Sequence, residues 1–171
     1  MVQSLALFSL AFSLGGCVTP ADTPANAVGA TIDYSLSPCF GFCPSFDLSV
    51  TPDGAGTYDG KGWVATRGEA RFTASDWQYR AFAERLAPFR PESSVTYGYD
   101  NCDGPLATDS PSVEITWREP GEEPVTLNWY MGCRQPGLAE NSQAISSAWQ
   151  ELPVGDLVGS DEERQKYGGF E

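Results

Sequence analysis

Strict alternation of apolar and polar residues constrains this chain most. Ile32, Tyr34 and Leu36 alternate with Asp33 and Ser35, the pattern of a strand with one face buried and the other in water. Phe46, Leu48 and Val50 repeat it around Asp47 and Ser49, and Val113, Ile115 and Trp117 around Glu114 and Thr116. Val125, Leu127, Trp129 and Met131 keep the same period. Thr51-Pro52-Asp53-Gly54 is a turn signal, because Pro52 presets φ and Gly54 accepts positive φ. Gly56-Thr57-Tyr58 then returns the chain as a hairpin. Trp63 to Ala65 and Ala70 to Phe72 read as further short strands, interrupted by Gly60, Gly62 and Gly68.

Helical spacing occurs twice. Ser75 is placed to cap a helix, with Gln78 completing a capping box, and Tyr79, Phe82, Ala83, Leu86 and Phe89 follow on one face. Pro88 and Pro91 end it. After Pro136-Gly137, Leu138, Ile145, Trp149 and Leu152 suggest a second helix. Strands grouped with helices in this order predict an α+β domain over residues 32–153, an antiparallel meander sheet of about five to six strands with two packed helices. From Val154 the chain is Gly-rich and charged, so residues 154–171 are expected to form a loose acidic tail.

Composition excludes several function classes. Lys plus Arg is 10 against 23 Asp plus Glu, a net charge of −13. Nucleic acid is therefore not expected as a partner, since phosphate binding needs a basic patch. The chain has no histidine, which removes Ser-His-Asp and Cys-His catalysis, imidazole metal ligation and the usual general base near neutral pH. The glycines at 54, 56, 60 and 62 lack the lysine and hydroxyl of a phosphate loop. No catalytic residue, metal site or cofactor is expected, and the chain reads as a non-enzyme.

The N-terminal region carries a different signal. An apolar run from Leu5 to Leu14 leads into Leu14-Gly15-Gly16-Cys17. It is shorter than the roughly 20 residues that span a bilayer and suits the apolar region of a signal peptide. Leu-Gly-Gly-Cys resembles a bacterial lipobox. That resemblance implies cleavage before Cys17, a diacylglyceryl thioether on its sulfur and an amide-linked acyl chain. Residues 1–16 are then a signal peptide and residues 17–31 a lipidated cysteine with a flexible tether. The small residues and prolines of Val18 to Thr31 give that tether a reach of roughly 20 Å. Several acyl chains make a stable membrane anchor where one is marginal. Val18, by resemblance to enteric sorting rules, favours the outer membrane, with the domain facing the periplasm.

Cys39, Cys43, Cys102 and Cys133 remain. An oxidising compartment makes disulfides the default. Four cysteines allow three pairings, and locality favours Cys39 with Cys43 and Cys102 with Cys133. The first pair would staple Phe40, Gly41 and Phe42 into a tight loop, a candidate binding loop if the phenylalanines face solvent and a core element if they do not. A stapled loop could also serve a protease-inhibitor-like module. Cys-x-x-x-Cys-Pro also resembles the copper site of the Sco family of copper chaperones, which implies copper or thiol-redox chemistry at Cys39 and Cys43. That family uses a distant histidine and a thioredoxin fold in which the motif opens a helix. Here histidine is absent and Ser45 to Val50 reads as a strand. A four-cysteine zinc site is disfavoured because a closely spaced pair occurs once. Asp100, Asn101, Asp103 and Asp109 gather oxygens in one stretch, which could hold Ca²⁺ or be an ordinary solvated turn.

The stretch Ser37-Pro38-Cys39-Phe40-Gly41-Phe42-Cys43-Pro44-Ser45-Phe46, then an alternating strand and an Asp-Gly turn, resembles an uncharacterised bacterial domain family marked by Cys-Phe-Gly-x-Cys-Pro-x-[Tyr/Phe]. Tyr99-Asp100 and Thr108-Asp109-Ser110-Pro111 are similar to its second half. The resemblance covers about residues 30 to 152 and implies a domain often carried on lipoproteins and secreted proteins. It implies no activity. Cys102 and Cys133 stand outside the pattern. The expectation is a disulfide-stapled domain, anchored in the cell envelope by lipid, with a non-enzymatic binding or structural role toward an unidentified envelope protein or ligand.

Overall fold

A computed structural model describes residues 29–167. Cys17, the expected signal peptide and most of the expected tether lie outside the described residues. β1 (Thr31–Leu36), β2 (Ser45–Val50), β3 (Ala55–Gly62) and β4 (Gly68–Thr73) precede the main helix, α1 (Asp76–Leu86). β5 (Val95–Tyr97), β6 (Ser112–Arg118) and β7 (Val125–Tyr130) follow, then short helical segments α2 (Ser142–Ser146), α3 (Gly155–Val158) and α4 (Asp161–Tyr167). The architecture is α+β, as the periodicity predicts.

The strands form one seven-stranded sheet in the order β4-β3-β2-β1-β6-β7-β5. It is mostly antiparallel, but it departs from the expected meander of five to six strands in two ways. β1 pairs with β2 on one side and with β6 on the other, so a crossover through α1 joins the two halves. β5 runs parallel to β7 at one edge. With only Val95, Thr96 and Tyr97 before Gly98, β5 is too short to show alternation in sequence.

The alternating residues do what their period demands. Ile32, Tyr34, Leu36, Phe46, Leu48, Val50, Val113, Ile115, Leu127 and Trp129 are buried on the face that the helices cover. Asp33, Asp47, Asp59 and Glu114 fall on the opposite, open face. Phe82 of α1 is fully buried and meets the Tyr34 ring edge-on at 5.9 Å. The Tyr34 hydroxyl donates to the Ile145 carbonyl at 3.0 Å. Burial raises its pKa far above the ordinary tyrosine value, with Arg85 nearby opposing the rise, so it stays a proton donor. Arg85 ties α1 to the second helical region, donating to the Ala144 carbonyl at 2.9 Å, Glu151 at 2.7 Å and Ser147 at 2.7 Å.

Local signals account for the element ends. Ser75 Oγ accepts from Gln78 N–H at 3.3 Å while Ser75 N–H donates to Gln78 Oε1 at 2.9 Å, the reciprocal capping box. Gly54 has φ +86°, and a Cβ there would lie 2.0 Å from the Ala74 carbonyl oxygen, so the β2–β3 turn needs glycine for both reasons.

Three expectations are corrected. Trp63 to Ala65 is a turn, not a strand. Trp63 has φ +52°, and Ala65 and Thr66 N–H donate to Val158 and Leu157 carbonyls at 3.0 and 2.9 Å; Ala70 to Phe72 does lie in β4. The second helix is broken into 3₁₀ turns at Ala139–Asn141 and Ala148–Glu151 flanking α2. Serines there bond their own backbone, as Ser147 Oγ does to Gln143 O at 2.6 Å, which weakens continuous helix. The segment from Val154, expected as a loose tail, carries α3 and α4 as far as Tyr167. Val154 and Val158 are its anchors, both fully buried.

Phe82→Ala removes the ring that joins α1 to the sheet centre. It should lower stability by about 3–5 kcal/mol in urea unfolding under oxidising conditions.

Candidate functional site

β1 leads directly into the stapled loop, and strand register shows what gathers beside it. Leu36 faces Val113 of β6, Ser45 faces Gly62 of β3, and Ser112 faces Tyr130 of β7. The loops after β1, β3 and β7 and before β6 therefore share one end of the sheet. The chain enters β1 at the other end, where Thr31 faces Arg118.

Both disulfides sit at the loop end. Cys39 bonds Cys43 and Cys102 bonds Cys133, the pairing that locality favours. Their surroundings differ. Cys39 and Cys43 are half-buried, whereas Cys133 is fully buried in the core. Cys102–Cys133 ties the 98–111 loop to the end of β7, reinforced by Ala107 N–H to Gly132 O at 2.8 Å and Arg134 N–H to Pro105 O at 2.9 Å.

The stapled loop turns its phenylalanines outward. Phe40 is 88% exposed and Phe42 55% exposed, so the core alternative does not hold. Gly41 has φ +138°, where a side chain would be strained. Phe40 N–H donates to Asp109 O at 3.2 Å, and Ser112 N–H donates to Ser37 Oγ at 2.7 Å. These bonds fix the loop against the 98–111 segment. Phe42 meets the Trp63 ring edge-on at 4.9 Å. Behind the loop lies a groove of about 300 Å³ bordered by Cys43, Pro44, Met131, Trp149 and Arg164. Tyr99 and Leu106 add exposed apolar surface at this end, with the Tyr99 and Tyr130 rings stacked at 4.9 Å.

The carboxylates of the 100–109 stretch do other work. Asp103 accepts from Gln135 Nε2 at 2.8 Å, and Asp109 from Thr108 Oγ1 at 2.9 Å. Among the described residues, no three His, Cys, Asp or Glu side chains converge in a way that could hold a metal ion. Sequence reasoning missed Trp63 as the support of Phe42. Its positive φ has no signature in residue type, since tryptophan rarely adopts it.

This arrangement defines a small disulfide-stapled α+β domain with an aromatic loop at one end of its sheet. The chain belongs to the DUF6438 family, a domain of unknown function, which it matches over residues 30–148. A comparison with curated proteins finds no match.

Burial predicts an order of reduction. A mild reductant without denaturant should open Cys39–Cys43 first and leave Cys102–Cys133 intact until the domain unfolds, as read by alkylation and peptide mass. Removing the pairs should rank the other way. Cys102→Ala with Cys133→Ala should cost roughly 3–4 kcal/mol, and Cys39→Ala with Cys43→Ala about 2 kcal/mol, because the longer loop restricts the unfolded chain more.

Proposed function

We propose that this chain is a lipid-anchored protein of the bacterial cell envelope that binds a partner through its stapled aromatic loop and catalyses no reaction. The observation that carries the reading is Phe40, a large apolar ring held in water by a disulfide and by a backbone bond to Asp109. An exposed aromatic in a pre-formed loop loses little entropy on binding and has the character of an interface anchor. Phe42, Tyr99 and Leu106 extend the apolar surface, and the groove beside Met131 and Trp149 offers depth. The expected partner is another envelope protein. The lipobox-like Leu14-Gly15-Gly16-Cys17 supports anchoring through Cys17 in the outer membrane, facing the periplasm. Among the described residues no helix is long and apolar enough to cross a membrane.

Phe40→Ala with Phe42→Ala should abolish capture of the partner in crosslinked envelope preparations. Stability should fall by no more than about 1 kcal/mol, the worth of the lost Phe42–Trp63 ring contact. A full set of crosslinks from the double variant would overturn the reading. Cys17→Ala should shift the chain from the membrane to the soluble periplasmic fraction and remove the acyl mass from its N-terminal peptide.

A second reading, copper or thiol-redox accessory chemistry, draws support from the half-buried Cys39–Cys43 bond, which solvent can reach. Reduction by an external dithiol would expose two thiolates suited to Cu(I). Free thiols at Cys39 and Cys43 in protein alkylated in intact cells would favour it over the binding reading.

A further inference from the structure

β4 is an edge strand with no strand on its outer side among the described residues. It holds no proline, and the charged side chains on it, which commonly blunt such edges, are one acid and one base, Glu69 and Arg71. The direction of its unused backbone groups follows from register. Ala74 N–H donates to Gly54 O at 2.8 Å, continuing the pairing in which Thr73 faces Ala55. Antiparallel pairs alternate between bonded and non-bonded. Ala70 and Phe72 therefore bond inward to β3, and the backbone of Glu69, Arg71 and Thr73 points out over the free edge.

Charge on this edge is unsettled within one copy. Glu69 lies directly across from Asp59 of β3, and like charges placed so destabilise a sheet. Lys61 is already held by Asp59 and by Asp47 at 3.4 Å. Among the described residues neither Glu69 nor Arg71 has an ion-pair partner, and both are exposed on the open face of the sheet.

We propose that β4 pairs antiparallel with β4 of a second copy of this chain, about a two-fold axis at Ala70. In that register Glu69 faces Arg71 of the second copy, and Arg71 faces its Glu69. Both are bonded pairs, so each exchanges two N–H···O=C bonds through the groups that point outward. Ala70 meets its own copy at the non-bonded position, where strands come closest and a small side chain fits. Moving the axis to Glu69 sets Glu against Glu, and moving it to Arg71 sets Arg against Arg. Moving it by half a residue faces bonded positions with non-bonded ones. Of the axes from Glu69 to Arg71, only this one satisfies both the charges and the backbone. It also gives Glu69 the cation that its own sheet denies it.

The test is the association state of the full chain by sedimentation velocity in non-ionic detergent. The wild type should dimerise. Glu69→Arg and Arg71→Glu should each weaken association about tenfold or more, since each turns attractive cross-strand pairs into repulsive ones. The double variant should restore it. Mixing the two single variants should also restore it, as a heterodimer in which every Arg again faces a Glu. Circular dichroism at a concentration where the wild type is monomeric should show every variant folded, with Glu69→Arg no less stable than the wild type because it relieves the Glu69–Asp59 pair, which separates lost pairing from lost folding. A wild type that stays monomeric, or a dimer that ignores both reversals, overturns the proposal. Association driven by the lipid alone gives the second result.

Discussion

β1 hydrogen-bonds to β2 on one side and β6 on the other, and its register fixes what both halves of the sheet present. A one-residue slip would carry Tyr34 to the open face and Asp33 into the core. With Tyr34 inward, its ring packs against Phe46 at 6.3 Å and Phe82 at 5.9 Å, and its hydroxyl reaches the Ile145 carbonyl. One side chain thus joins the neighbouring strand β2, the main helix and the second helical region. The hydroxyl bond matters because an unpaired buried donor costs about 1–3 kcal/mol. Ile145 is fully buried in turn, so the position of α2 depends on the same contact.

The two disulfides divide their work along the same strand layout. Cys102–Cys133 closes a sequence separation of 31 residues and ends in the core, so it steadies a long excursion between β5 and β6 that has little regular structure. Cys39–Cys43 closes a separation of 4 residues at the surface. A loop that short contributes little to the core. Its effect is local, limiting the conformations open to Phe40 and Phe42. These two exposed rings are the feature on which the proposed binding role rests.

Much of the domain was legible because its signals are local. Alternation located β1, β2, β6 and β7, a capping box located α1, and short spacing favoured the observed disulfides. What stayed hidden depends on contacts between distant segments. β5 is three residues long and exists because β7 offers it an edge. Val154 and Val158 look unremarkable among glycines and charges, yet the Val158 and Leu157 carbonyls receive the 65–66 backbone and draw α3 onto the domain. The outward aim of Phe40 was equally unreadable, because an apolar residue type favours burial and only the fold shows that the loop projects beyond the sheet. Glu69 and Arg71 carry no signal in sequence, and register alone sets Glu69 against Asp59.

The proposed lipid at Cys17 and the proposed edge-to-edge pair of sheets would constrain each other. The two-fold axis of an antiparallel β4 pair stands normal to the sheet, so the strands of the second copy run the opposite way. Its entry to β1 then lies at the end where the first copy carries its stapled loop. β1 alone spans about 20 Å, comparable with the reach of roughly 20 Å expected of the tether from its composition. Two copies anchored in one leaflet cannot both stand upright on their entry ends, because one would be inverted. Both anchors reach the same surface when the strands lie along the membrane plane. In that proposed pair the stapled loops would project sideways at opposite ends, and a partner bound by one loop would not need to displace a partner bound by the other.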